Sequence, residues 1–140
     1  MPAADQIFEL RLRNDLSELS RLDDWISHVA ERLSLGEKAA HSVRLCLIEA
    51  VTNVIVHGGG GASINGILLI VTAEKDLVTA RVTDSGRPFD PTSYVPNPTS
   101  RSLQEGGIGG QGIRLMRRFA ASLSYERRAN QNSLILTFDR

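Results

Sequence analysis

The chain has 140 residues, 41% of them hydrophobic and 23% charged, which is one ordinary domain with enough apolar surface for a core without disulfides or metals. Sixteen Lys and Arg balance sixteen Asp and Glu, so nothing in the charge calls for nucleic acid or a membrane surface, and a single cysteine, Cys46, excludes an internal disulfide and a multi-cysteine zinc site. No run reaches the roughly 18 apolar residues of a membrane span, and "MPAADQIFEL" lacks the basic-then-apolar opening of a signal peptide, so a cytoplasmic protein is expected.

"IFELRLRN" alternates Ile7, Glu9 and Arg11 against Phe8, Leu10 and Leu12, the pattern of a half-buried strand. Asn14 or Asp15 can cap the element after it. Leu16, Leu19, Leu22, Ile26, Val29 and Leu33 recur at three and four residues, predicting an amphipathic helix that "LSLGEK" breaks. A second helix is expected from about Glu37 to His57, with Val43, Leu47, Ala50 and Val54 on its buried side. Gly58 to Gly61 stop it. "INGILLIVTAE" and "DLVTARVTD" read as two strands joined by a turn at Glu74-Lys75-Asp76. The first is nearly all apolar and is expected at the centre of the sheet.

From Ser85 to Gly107 four prolines and many small polar residues predict a loop of about 20 residues, longer than a plain connection needs. A short helix from Gly112 to Ala121 and a final hairpin, "SLSYERR" and "SLILTF" around a turn at Ala129 to Asn132, complete the chain. The order β-α-α-β-β-loop-α-β-β predicts an α+β two-layer sandwich. Its sheet is mixed but mainly antiparallel, with helices on one face. No internal repeat or domain boundary is visible, so residues 1–140 read as a single domain.

"EGGIGGQGIRL" contains G-x-G-x-x-G at Gly107, Gly109 and Gly112, the spacing of a dinucleotide fold. That fold needs a strand before the first glycine, an acidic residue about 20 positions on, and much α/β chain afterwards. Here "PNPTSRSLQE" precedes it, Glu126 comes too early, and little chain remains. A Walker Lys-Ser/Thr is also missing. What survives is a helix start behind bare backbone, which suits an anion.

Two further segments carry chemistry. In "CLIEAVTNVIVHG", Glu49 and Asn53 lie four apart on one helical face. Either they form a solvated edge, or Asn53 offers an oxygen to a hard cation such as Mg²⁺ while Glu49 orients or deprotonates a hydroxyl. In "VTDSGRPFDP", Asp84 ends a strand and Gly86 comes two residues later. Either this is a turn, or the carboxylate accepts from an exocyclic amine while Gly86 lets backbone approach a flat ring.

The order E-x-x-x-N, D-x-G-x-x-F, G-G-x-G resembles the GHKL ATP-binding superfamily. "EAVTNVIVHG", "DSGRPFDP" and "GGQGIRLMRRF" are most similar to the N, G1 and G2 boxes of the anti-sigma-factor serine/threonine-protein kinases of bacterial partner switching. The likeness runs over nearly the whole chain. It implies a Bergerat-type ATP-binding fold with ATP and Mg²⁺. Glu49 would be the catalytic base and Asn53 the Mg²⁺ ligand. Asp84 would read the adenine amino group, with Gly86 beside it. Gly109, Gly110 and Gly112 would shape the phosphate side, with Gly107 in the hinge of a lid over Pro91 to Gly107. Two glycine pairs stand where the family needs one, so alignment on "GGQGIRL" or on "GGIGG" gives different phosphate contacts. Ser133 is a weak match to a polar residue that supports adenine.

The resemblance also implies partners: an anti-sigma-factor antagonist of the STAS type as phosphoryl acceptor, a sigma factor or analogous regulator, and a homodimer, which relatives often form. Competing readings are an ATP-binding regulatory module without transfer and a histidine-kinase catalytic domain. Among the remaining residues, His57 is expected to cap the second helix, His28 and His41 to lie on the surface, and Cys46 to fill core. Trp25 reads as core or as a partner anchor, and Arg114, Arg117 and Arg118 as a solvated face with Arg114 near the phosphates.

Overall fold

The computed structural model describes residues 6–58, 66–93 and 112–140. Strand β1, Gln6–Leu12, buries Leu10 and Leu12 and turns Ile7, Glu9 and Arg11 outward. The chain then reverses at Asp15, whose carboxylate accepts from the Ser17 amide at 3.0 Å. Asp15, rather than Asn14, is therefore the cap. The next turn, Leu16–Glu18, is 3₁₀, so the α-helix α1 begins only at Leu19 and runs to Arg32. Glu18 ties this corner together. It is 7% exposed and accepts from the Arg13 amide at 2.8 Å and from the Arg21 guanidinium at 3.2 Å. Those bonds hold its carboxyl below the usual range. Trp25 is half-buried and packs on the core.

Helix α2, Glu37–His57, comes after a tight turn in which Ser34 has φ 53°. By length and composition it could cross a membrane. Its setting is that of a core helix: Val43, Leu47, Ala50 and Val51 are buried, and it packs over β3 and β5, with α1 at its side. Cys46 is fully buried there, and burial together with Glu49 pushes its thiol up to about 12.

Strands β2, Ile67–Ala73, and β3, Leu77–Asp84, form a hairpin closed by the Glu74 amide donating to the Leu77 carbonyl at 2.8 Å. After β3 come a 3₁₀ turn, Pro91–Ser93, and a helix, α3, over 112–119. Then β4, Ser122–Arg128, and β5, Gln131–Asp139, make a second hairpin. Its turn is Ala129-Asn130, both at positive φ, the geometry of a two-residue type I′ connection. Asn132, expected in the turn, is therefore a strand residue.

The sheet order is β1-β2-β3-β5-β4. All four pairings among the described residues are antiparallel, so the expected mixed character is not seen there. The central strand is β3, not β2. β2 is an interior strand whose second face is only half covered, which explains its apolar run without placing it at the centre. The helices cover one face, as expected for a two-layer α+β sandwich. Inward residues of every strand meet α1, α2 and α3 in one apolar cluster. Two polar residues interrupt that inward face. Asp84 ends β3 and Asn132 begins β5, directly opposite each other.

Candidate active site

Asp84 and Asn132 lie at the end of the sheet that faces the C-terminal half of α2. Alternation puts them on the inward face: Asp84 shares it with Val78, Ala80 and Val82, and Asn132 with Leu134, Leu136 and Phe138. Asp84 is 5% exposed. Its Oδ2 accepts from the Gly86 amide at 2.8 Å and from Asn132 Nδ2 at 3.2 Å. Its Oδ1 takes no part in these bonds.

Asn132 is the hub of this corner. Its Nδ2 also donates to the Arg87 carbonyl at 2.9 Å. Its Oδ1 accepts from Tyr125 Oη and from Arg127 at 3.1 Å. Arg127 in turn donates to the Gly86 carbonyl at 2.7 Å. Gly86 is thus fixed through both its amide and its carbonyl. The sequence pattern points instead to the neighbour, Ser133. Ser133 sits on the other face of β5, its hydroxyl 3.1 Å from that of Thr83, and does not line the cavity. The signal that would have found Asn132 is its parity with Leu134, Leu136 and Phe138.

A cavity lined by Asn53, Val54, Val82, Asp84, Phe89 and Asn132, among others, opens between α2 and the sheet. Most of that lining is apolar and the polar groups are few and convergent, the usual make-up of a small-molecule site. Its free volume is about 30 Å³, room for a couple of waters. Phe89 stacks on His57, ring centroids 5.0 Å apart. The expected capping of α2 by His57 is done by Arg87, whose Nε donates to the His57 carbonyl at 2.9 Å and whose amide donates to the Gly58 carbonyl at 3.2 Å.

One turn apart on α2, Glu49 and Asn53 point toward the start of α3. Asn53 is 3% exposed, and neither its Oδ1 nor its Nδ2 has a partner among the described residues. An unpaired buried amide costs about 1–3 kcal/mol per group. This cost falls in the last turns of α2, where the helix faces the cavity. Burial raises the Glu49 carboxyl above its ordinary range, as suits a group that takes up a proton. Gly112 completes the arrangement. A Cβ there would stand 2.7 Å from Glu49 Oε1 and 3.6 Å from Asn53 Nδ2. A side chain there would push the Glu49 carboxylate aside, so glycine lets α3 begin close against both groups.

The structure therefore brings Glu49, Asn53 and Gly112 together at one end of the site, and Asp84, Gly86 and Asn132 at the other. Asn53 and Asp84 line the same cavity. Gly107, Gly109 and Gly110 lie outside the described residues. Arg114 is exposed on α3.

An orphaned amide oxygen beside a carboxylate, with bare backbone next to both, fits a phosphate-bound Mg²⁺. Mg²⁺ takes one or two protein oxygens and fills its shell with water and phosphate.

Comparison with known proteins identifies the family. The histidine kinase-like ATPase domain family matches residues 12–138. Serine/threonine-protein kinase BtrW of Bordetella bronchiseptica is 34% identical over 113 residues, which is 81% of this chain and 80% of BtrW. Among solved structures, the RsbU and RsbW domains of Rv1364c from Mycobacterium tuberculosis superpose with a TM-score of 0.71 at 13% identity. That match covers 95% of this chain, which spans only 31% of the mycobacterial one. The catalytic domain of histidine kinase ThkA gives 0.55 at 17% identity over 96% of this chain and 95% of that one. The SiaB-SiaC complex from Pseudomonas aeruginosa gives 0.53 at 13% over 96% and 89%. The chain belongs to the histidine kinase-like ATPase family, in its GHKL anti-sigma branch of serine/threonine-protein kinases, and is an ATP-binding enzyme of that kind.

Proposed function

We propose that this protein transfers the γ-phosphoryl group of ATP to a serine or threonine of a small antagonist protein of the STAS type, and that it also holds a sigma factor or an analogous regulator. The observation that carries the chemistry is the trio of Glu49, Asn53 and Gly112: a carboxylate raised by burial, an amide unpaired among the described residues and a glycine backbone close against both. The partner class rests on the likeness to BtrW and to the RsbU–RsbW and SiaB–SiaC structures.

In this reading Asp84 accepts from the adenine amino group through its Oδ1, with Asn132 and Gly86 fixing the carboxylate. Asn53 holds Mg²⁺, which when bound neutralises charge on the phosphate oxygens. Gly107, Gly109, Gly110 and Gly112 approach the phosphates as bare backbone. The acceptor hydroxyl oxygen bonds to the γ-phosphorus, the bond to the ADP oxygen breaks, and the hydroxyl proton passes to Glu49. Phosphoryl transfer asks chiefly for positioning and charge compensation, and this site is built for both. With ATP as donor and a soluble protein as acceptor, the reaction belongs in the cytoplasm. By family likeness the whole chain acts as one domain and forms a homodimer.

The test is incubation with γ-labelled ATP, Mg²⁺ and candidate antagonists, beginning with one encoded beside this protein. Label is expected on a serine or threonine of the antagonist. Glu49→Gln should keep nucleotide affinity within a few-fold and reduce transfer by roughly 10²–10⁴, the usual worth of a general base. Transfer at the wild-type rate would remove Glu49 from that role. Nucleotide binding with no labelled acceptor would favour a regulatory ATP-binding module.

A further inference from the structure

At the other end of α2 lies a second, larger hollow of about 480 Å³, lined by residues of the α2 N-terminus, the C-terminal end of α3 and the end of β5. From Lys38 to Asn53 the helix rises 1.5 Å per residue, so this hollow is about 20 Å from the nucleotide site. Of the nucleotide-site motifs, only the tail of the third, Arg118 and Phe119, reaches it.

Four features of the hollow favour an anion. First, α2 starts there without a cap. Gly36 has no side chain to offer, and the earliest helical bond is from the Ala40 amide to the Gly36 carbonyl at 2.9 Å. The amides of Glu37, Lys38 and Ala39 are left as donors at the positive end of the helix. Second, Ser42 lines the hollow, one turn in, and is only 8% exposed. Its hydroxyl makes no hydrogen bond among the described residues and lines the hollow as an available donor. Third, Lys38, Arg118 and Arg140 line the same space against one lining acid, Asp139. Neither Lys38 nor Arg118 is in an ion pair among the described residues. Among the described residues Arg140 donates to the carbonyls of Glu74 and Leu33, at 2.7 and 3.0 Å. Glu37, in the first turn, is exposed and does not line the hollow. Fourth, Phe119 and Phe138 give one side an apolar wall. Phe119 is held there by an edge contact with His41 at 5.8 Å and by the Arg118 guanidinium 5.4 Å above it.

We propose that this hollow is a binding site for a phosphate group, taken either as free phosphate or on a small phosphomonoester whose carbon body rests on Phe119. Helix amides supply the directed donors, Ser42 adds a buried hydroxyl, and Lys38 and Arg118 supply charge. The site does not depend on the kinase reading.

Titration of the ¹⁵N-labelled full chain, followed by amide shifts, tests it. Inorganic phosphate and phenyl phosphate are the two probes, at constant ionic strength set with chloride. Saturable shifts of Glu37, Lys38, Ala39 and Ser42 are expected. Tighter binding of phenyl phosphate assigns the site to phosphomonoesters, and equal binding assigns it to free phosphate. Ser42→Ala with Arg118→Gln should weaken binding by about tenfold or more, the worth of a lost charge-assisted bond, while the undisturbed amide spectrum elsewhere reports an intact fold. Shifts that do not saturate, that centre on Gly112 instead, or that persist unchanged in the double variant overturn the proposal.

Discussion

Asn53 shows what an unpaired buried amide costs the fold that carries it. Its amide is buried with neither end paired, so an apolar replacement of similar size should relieve the penalty. Asn53→Leu is expected to raise stability by about 1–2 kcal/mol, since unpaired buried polar groups cost that much, while abolishing Mg-ATP binding. Thermal unfolding and calorimetry on the same sample check both halves. A loss of stability would mean the amide is already satisfied. Glu49 gives a matching prediction in pH. Burial raises its folded-state carboxyl above the unfolded value, so folding favours the neutral acid. The stability this lends is complete below the unfolded pKa and fades as pH rises through the folded one. Glu49→Gln should therefore flatten the weakly acidic part of the stability-versus-pH curve. Glu49 and Asn53 were legible because four-residue spacing puts two side chains on one helical face. Asn132 was not, because a lone Asn beside a turn reads as part of the turn. Only the strand register shows it opposite Asp84.

At the scale of elements, two turns carry the same backbone geometry with different residues. Gly66, just before β2, has φ +70°, and a Cβ there would stand 2.3 Å from the Leu12 carbonyl oxygen. Ala129 has φ 55° with a side chain present. Left-handed backbone costs an L-residue roughly 1–2 kcal/mol. Ala129→Gly should therefore raise stability by up to about 1 kcal/mol, part of that gain being lost to added freedom in the unfolded chain. Gly66→Ala should lower it by about 2 kcal/mol or more, because strain and a backbone clash add. Denaturant midpoints of the two variants, moving in opposite directions, are the check. Strands and helices were legible from their periods of two and near four. The central place of β3 was not. The apolar run of β2 reflects half cover on its outer face, and sheet order depends on where β5 inserts, which no local pattern encodes.

In the whole molecule, two of the four described strand pairings join neighbours in sequence, β2 with β3 and β4 with β5, while β3 with β5 and β1 with β2 close long excursions. Gln6 pairs with Ala73 and Leu12 with Ile67, so both long helices lie between the partners. Closing so long an excursion is slow compared with closing a hairpin. In pulsed hydrogen exchange during refolding, amides of β2 and β3 facing each other should gain protection before those of β1. Simultaneous protection would show that β1 docks in the first step.

That order matters most while the chain is being made. β1 leaves the ribosome first, yet its partner is still unsynthesised. Until α1 and α2 have emerged, β1 is an apolar strand with two open edges, the state most prone to capture by another nascent chain. Its outward face carries Glu9 and Arg11, and Arg13 comes directly after. Alternating charges of this kind work as gatekeepers. β2 covers only one of those edges, because β1 ends the sheet, so the same charges guard the other edge in the finished protein, and their value would show in yield and in resistance to aggregation.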